Sequence, residues 1–145
     1  MFTLLVSEPS ETLTDVLERL VEDATLGRSA VTESRHRRVL AHLRVFLDVA
    51  DLDGLLDPAA AATLQVERDH RPEGAFERVL GPRELLQCLP EFAGPRWLAT
   101  AAPERRTQLA FIDYVSRELS RSLPVGSRRA LLARVRLAVQ NARST

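Results

Sequence analysis

The chain of 145 residues balances 20 arginines against 20 acids, has no lysine, and holds one cysteine, 45% apolar residues and only 5% aromatics. A neutral balance argues against a protein that coats nucleic acid through bulk charge, and a lone Cys88 excludes an internal disulfide. No stretch approaches the roughly 20 consecutive apolar residues of a membrane span, so the expectation is one soluble domain over residues 1–145 with an aliphatic core.

The first residues, Met1 to Ser7, lack the basic start and long apolar run of a signal peptide. The Arg, Ala and Leu bias points to a GC-rich bacterial genome, and the single cysteine fits a reducing compartment. The expected location is a bacterial cytoplasm.

Phe2 to Val6 reads as a short strand that needs a partner. Pro9 and Ser10 then open a first helix over residues 11–25. Its apolar face is Leu13, Val16, Leu17, Leu20, Val21 and Ala24, with Glu11, Asp15, Glu18, Glu22 and Asp23 mostly opposite. Gly27 ends it. Thr32 is the expected N-cap of a second helix reaching about Ala50, with Val39, Leu40, Leu43, Phe46 and Leu47 inward. Asp51 to Gly54 is a stop signal.

Asp57-Pro58 predicts the next helix, a carboxylate cap followed by proline in the first turn. It extends to Glu67 or Arg68. The alternative is a β-hairpin with arms at 64–69 and 75–80, but the alanine run at 59–62 favours the helix. From Pro72 to Pro103 prolines and glycines break the chain, which predicts short helices at 75–80, 83–89 and 96–101, with Phe92 and Trp97 filling the gaps between them. Pro103 opens a long, central helix to about Ser122, with Leu109, Ile112, Val115, Leu119 and Leu123 inward and Asp113 paired to Arg117 outside.

The last helix, Ser127 to Arg143, has five arginines and no acid. Ser127 is its expected cap. Leu131, Leu132, Val135, Ala138, Val139 and Ala142 form an apolar stripe, Arg129, Arg136, Gln140 and Arg143 a polar stripe beside it, and Leu137 falls outside the apolar one. Arg128 and Arg129 oppose the positive end of the helix dipole and invite an anionic neighbour. Charge is sorted along the chain: residues 1–60 have eleven acids and six arginines, whereas residues 119–145 have six arginines and no acid. Such asymmetry suggests acidic surfaces docking basic ones, within the chain or between copies.

No pattern specifies chemistry. His36 and His42 lie six apart on different helix faces, and His70 is remote from both. Cys88 reads as a small buried hydrophobe. Asp48 to Gly54 lacks the alternating ligands and final glutamate of a calcium loop, and no phosphate loop or nucleophile elbow occurs. These readings together predict an all-α, compact bundle of five to seven helices with no catalytic residue, cofactor, metal or evident small-molecule ligand. The expected function is protein–protein interaction or assembly, including self-association. The partner-binding residues are Arg128, Arg129, Arg136, Leu137 and Arg143, with Trp97 as an anchor. The competing reading is nucleic-acid binding through the last helix, aided by Arg35, Arg37, Arg38 and Arg44.

Overall fold

The computed structural model describes residues 11–144, and within them the chain forms seven α-helices and no strand. They are α1 (Leu13–Thr25), α2 (Ala30–Val49), α3 (Pro58–His70), α4 (Ala75–Val79), α5 (Pro82–Phe92), α6 (Ala102–Ser120) and α7 (Val125–Arg143). The all-α bundle is the one that the periodicities predict. The expected strand Phe2–Val6, and the helix opening at Pro9 and Ser10, lie outside the described residues.

Local chemistry explains where the helices start and stop. A capping box opens α1: Asp15 N donates to Thr12 Oγ1 at 3.1 Å and Thr12 N to Asp15 Oδ2 at 3.4 Å. Gly27 closes it in the left-handed region, φ +74°, which glycine adopts without a Cβ penalty. The cap of α2 is Ser29 rather than Thr32; Thr32 N donates to Ser29 Oγ at 3.2 Å, which is the geometry of a third helical residue serving its cap. Asp57 stands at the start of α3, but its carboxylate makes no bond to the first turn and sits 3.5 Å from Arg83 instead. The helix continues to His70, so the hairpin over 64–80 does not form.

The fifth helix runs through Pro90 to Phe92, longer than the proline suggests. Near a helix end the lost N–H removes one bond, while the extra turn carries Leu89 and Phe92 into the core, both fully buried. Residues 96–101 are turns rather than a helix. Side chains explain this: Gln108 Oε1 accepts from Ala99 N at 2.9 Å, and Gln108 Nε2 and His42 Nε2 donate to the Trp97 carbonyl at 3.1 and 2.6 Å. Backbone groups satisfied sideways have no need of helical partners. The last helix begins at Val125 after Pro124, so Ser127 lies in its first turn and is not its cap. Proline presets the backbone at that start.

The central helix is α6, which packs against α1, α2, α5 and α7. Leu109, Ile112, Val115 and Leu119 are buried as expected, and so are Phe111, Ser116 and Ser120 on its other sides. The serine hydroxyls donate to the carbonyls of Asp113 and Arg117 at 2.9 and 2.8 Å, which satisfies them without a partner helix. Arginine–carboxylate bonds tie the periphery together. Arg44 on α2 holds Glu77 of α4 through two bonds (3.2 and 3.3 Å) and Glu18 of α1 through a third (2.9 Å), and Arg37 donates to the other oxygen of Glu18 at 2.6 Å. Arg68 of α3 donates to the carbonyls of Leu47 and Ala50 at the end of α2, where a helix exposes unpaired acceptors and favours a cation.

Candidate functional site

The helix α7 buries Leu131, Val135, Val139 and Ala142 against α5 and α6. Leu132 and Ala138, assigned to the same stripe, are half-buried on its edges. The remaining half of the helix faces outward. Arg129, Arg136 and Arg143 recur every seven residues, which places them in one row with about 10.5 Å between neighbours. Beside that row runs a strip of Ala130, Ala133 and Leu137, with Leu137 59% exposed. Arg134 borders the strip on its far side. Arg128 lies at the start of the buried face, in line with Leu131 and Val135, half-buried, with its Nε enclosed and lacking a hydrogen-bond partner among the described residues.

None of the five α7 guanidiniums reaches a carboxylate among the described residues, whereas Arg19, Arg37, Arg44, Arg78, Arg83, Arg117 and Arg121 all do. No acid of α1 forms an ion pair with α7 among the described residues. Glu18 is taken by Arg37 and Arg44, and Arg19 draws in Glu11 at 2.9 Å and Asp23 at 3.9 Å. Hydrogen bonds from Arg44 and then Arg37 hold the Glu18 carboxyl below its ordinary range.

Trp97, the expected anchor, does not join the α7 surface. It is half-buried in the turns after α5, edge-on to Phe46 at 5.1 Å between ring centres and 5.6 Å from His42. There it lines a concavity of about 380 Å³ between α2, these turns and the start of α6. Arg35, Arg38, Val39 and His42 form one wall, at the three- and four-residue steps of a single face of α2. Arg96, Trp97, Thr100, Glu104 and Gln108 contribute the rest of its polar and aromatic groups. Arg37 and Arg44 are on the other side of α2, so among the described residues the cluster of four arginines in the sequence divides into two that pair with carboxylates and two that do not. A second concavity of about 490 Å³ lies behind the same turns, sharing Leu98 and Thr100 and bounded by the end of α7. Its arginine, Arg105, donates to the Ala142 carbonyl at 2.6 Å.

The other candidates for chemistry stay apart. Nδ1 of His36 donates to the Thr32 carbonyl at 2.9 Å, and His70 is exposed at the end of α3. Cys88 is fully buried, and burial pushes its thiol up to about 12. Among the described residues no group of three His, Cys, Asp or Glu side chains is placed to hold a metal ion, and no helix is long and apolar enough to cross a membrane. Compared with family models, curated proteins and solved structures, the chain matches none. Sequence reasoning found the α7 row but missed the pocket. Arg35, Arg38 and His42 already share a face by spacing, yet only the fold brings Arg96, Trp97 and Glu104 opposite them.

Proposed function

We propose that this protein is a non-catalytic assembly module of a bacterial cytoplasm that docks through the outward face of α7 onto an acidic, apolar-centred protein surface. The observation that carries the reading is the arrangement of α7 itself: a strip of Ala130, Ala133 and Leu137 bordered by arginines that have no carboxylate in the described chain. Interfaces concentrate apolar contact at the centre and place charge at the rim, with arginine enriched. A phosphate backbone calls for the reverse, cations in the middle of the contact.

The chain carries a complementary surface of its own. At the corner between α1 and α2, Leu26 is 83% and Val31 59% exposed, and the flanking sequence carries Glu22, Asp23 and Glu33 with Arg28, Asp23 lying 3.9 Å from Arg19. This supports self-association, with α7 of one copy on the corner of the next. The contact is head-to-tail, so it builds a ring or an open chain of copies.

Light scattering on the eluting protein tests this. The wild-type protein should exceed the monomer mass, and Leu137→Asp or the triple reversal Arg129→Glu/Arg136→Glu/Arg143→Glu should return it to monomer with unchanged circular dichroism. Mixing that triple variant with Glu22→Arg/Asp23→Arg/Glu33→Arg should restore association. A wild-type monomer at every concentration refutes self-association. A DNA or RNA complex that dissolves steeply with salt and is lost in the α7 variant favours the nucleic-acid reading instead.

A further inference from the structure

The concavity beside Trp97 has a composition that neither the fold nor α7 docking requires. Arg35, Arg38 and Arg96 line it, and none of them reaches a carboxylate within ion-pair distance among the described residues. One acid, Glu104, stands with them, so the fixed charges of the lining sum to plus two. Elsewhere arginines packed against a neighbouring helix have an anionic or carbonyl partner, as Arg44 has in Glu18 and Glu77 and Arg68 in the Leu47 and Ala50 carbonyls, with half-buried Arg128 the exception. Like charges converging without a counter-ion repel one another, and a cleft of one sign raises the local concentration of the opposite ion. The guanidinium fork suits a carboxylate or phosphate in particular.

The floor is of a different character. Val39, Trp97, Leu98 and Ala99 contribute apolar surface, and the backbone beneath is fixed. His42 and Gln108 both hold the Trp97 carbonyl, while Gln108 also donates to the Phe92 carbonyl at 3.1 Å and accepts from Ala99 N. Gln108 is buried and all its amide atoms are occupied in this work. The turns that shape the pocket are therefore held rigid from below by α2 and α6, a pre-formed site rather than a loose loop. A volume of about 380 Å³ falls at the small-metabolite end of ligand cavities, roughly 300–1,000 Å³.

We infer that this pocket binds a small organic dianion, a phosphate monoester or a compact dicarboxylate, with its charged end among Arg35, Arg38 and Arg96 and its apolar body against Trp97. The site is separate from the α7 surface, and its test does not depend on whether α7 docks a partner.

Trp97 is the one tryptophan of the chain, so its fluorescence reports on this pocket alone. Phenyl phosphate, phthalate, inorganic phosphate and phenol are titrated into the full chain, excited where none of them absorbs, with calorimetry as the second readout. Phenyl phosphate or phthalate should change Trp97 emission saturably and release or absorb heat at one site. Inorganic phosphate and phenol, each lacking half of the ligand, should bind at least about tenfold more weakly. Arg38→Ala and Arg96→Ala, both on exposed side chains, should each weaken binding about tenfold, the scale of one charge-assisted contact, while circular dichroism and the light-scattering mass stay unchanged. Three results overturn the inference: neither organic dianion produces saturable fluorescence or heat, inorganic phosphate binds as tightly as phenyl phosphate, or the two arginine variants bind as the wild type does.

Discussion

Removing Arg44 tests the wiring of the periphery most directly. Its guanidinium makes two bonds to Glu77, whose side chain is 8% exposed, and one to Glu18, while Arg44 itself is 30% exposed. Arg44→Met keeps the length and apolar stem but leaves the Glu77 carboxylate in a nearly closed site without its cation. Breaking a fully buried pair costs about 3–5 kcal/mol and an exposed one about 0–1 kcal/mol. Partial exposure of the arginine places the cost at about 2–3 kcal/mol, a fall of about 5–10 °C in Tm for a domain of this size. Urea unfolding of the wild type, Arg44→Met, Glu77→Gln and the double variant yields the pair term directly. A favourable coupling of about 1–2 kcal/mol is expected. If the two single losses add to within about 0.5 kcal/mol, Arg44 and Glu77 do not act as a unit and the description of α4 as tied to α2 through this pair is wrong.

Two further outcomes follow from groups whose protonation the fold shifts. Glu18 has its folded pKa depressed below the ordinary 4.5 by hydrogen bonds from Arg44 and then Arg37, so the unfolded chain holds that proton more tightly. The stabilisation is complete above the ordinary value and lost as pH falls through the folded one. Glu18→Gln should therefore be less stable than the wild type at neutral pH, with the gap closing below about pH 4.5 in urea titrations; a gap independent of pH contradicts the pairing. Cys88, with its thiol raised to about 12 by burial, should stay unmodified by a disulfide reagent at pH 8 until the protein unfolds, and labelling at the rate of a free exposed thiol would show that α5 does not seal it.

Helices that carry their own instructions were readable from sequence. The apolar rows of α1, α2 and α6 recur at helical steps, and most of the predicted residues are buried; Val16, Ala24 and Leu123 are only half-buried, and α6 also buries Gln108, Phe111, Ser116 and Ser120, which the pattern did not mark. What escaped depends on partners distant in sequence. Whether residues 96–101 coil into a helix is decided by Gln108 and His42, which capture the backbone of Trp97 and Ala99. Whether Asp57 caps α3 is decided by Arg83, 26 positions along, which lies within ion-pair reach of the carboxylate. The cap of α2 slipped by three residues because Ser29 and Thr32 are both good caps, and the one preceded by the Gly27 turn has the extended backbone that a cap needs. The partner-binding set was half local: spacing alone puts Arg129, Arg136 and Arg143 in one row, but nothing near Trp97 in sequence reveals that it faces α2.

A net charge of zero conceals how differently the two ends of this chain use arginine. Toward the front of the chain acids and arginines sit on helices that touch, so α1, α2 and α4 meet through Glu18, Arg37, Arg44 and Glu77. The last helix has no acid of its own, and it packs against α5 and α6 without an ion pair to either among the described residues. Among the described residues no α1 acid pairs with α7, and Glu18 is committed to Arg37 and Arg44. The row of Arg129, Arg136 and Arg143 therefore contributes little to the fold, and solvation alone explains the charge. It does not explain Leu137, which was free to be polar at that position and instead exposes an apolar side chain in the middle of the basic face. Single exposed leucines are common, so the weight rests on the combination: an apolar strip, arginines on both borders, and an acidic apolar corner at the other end of the same chain.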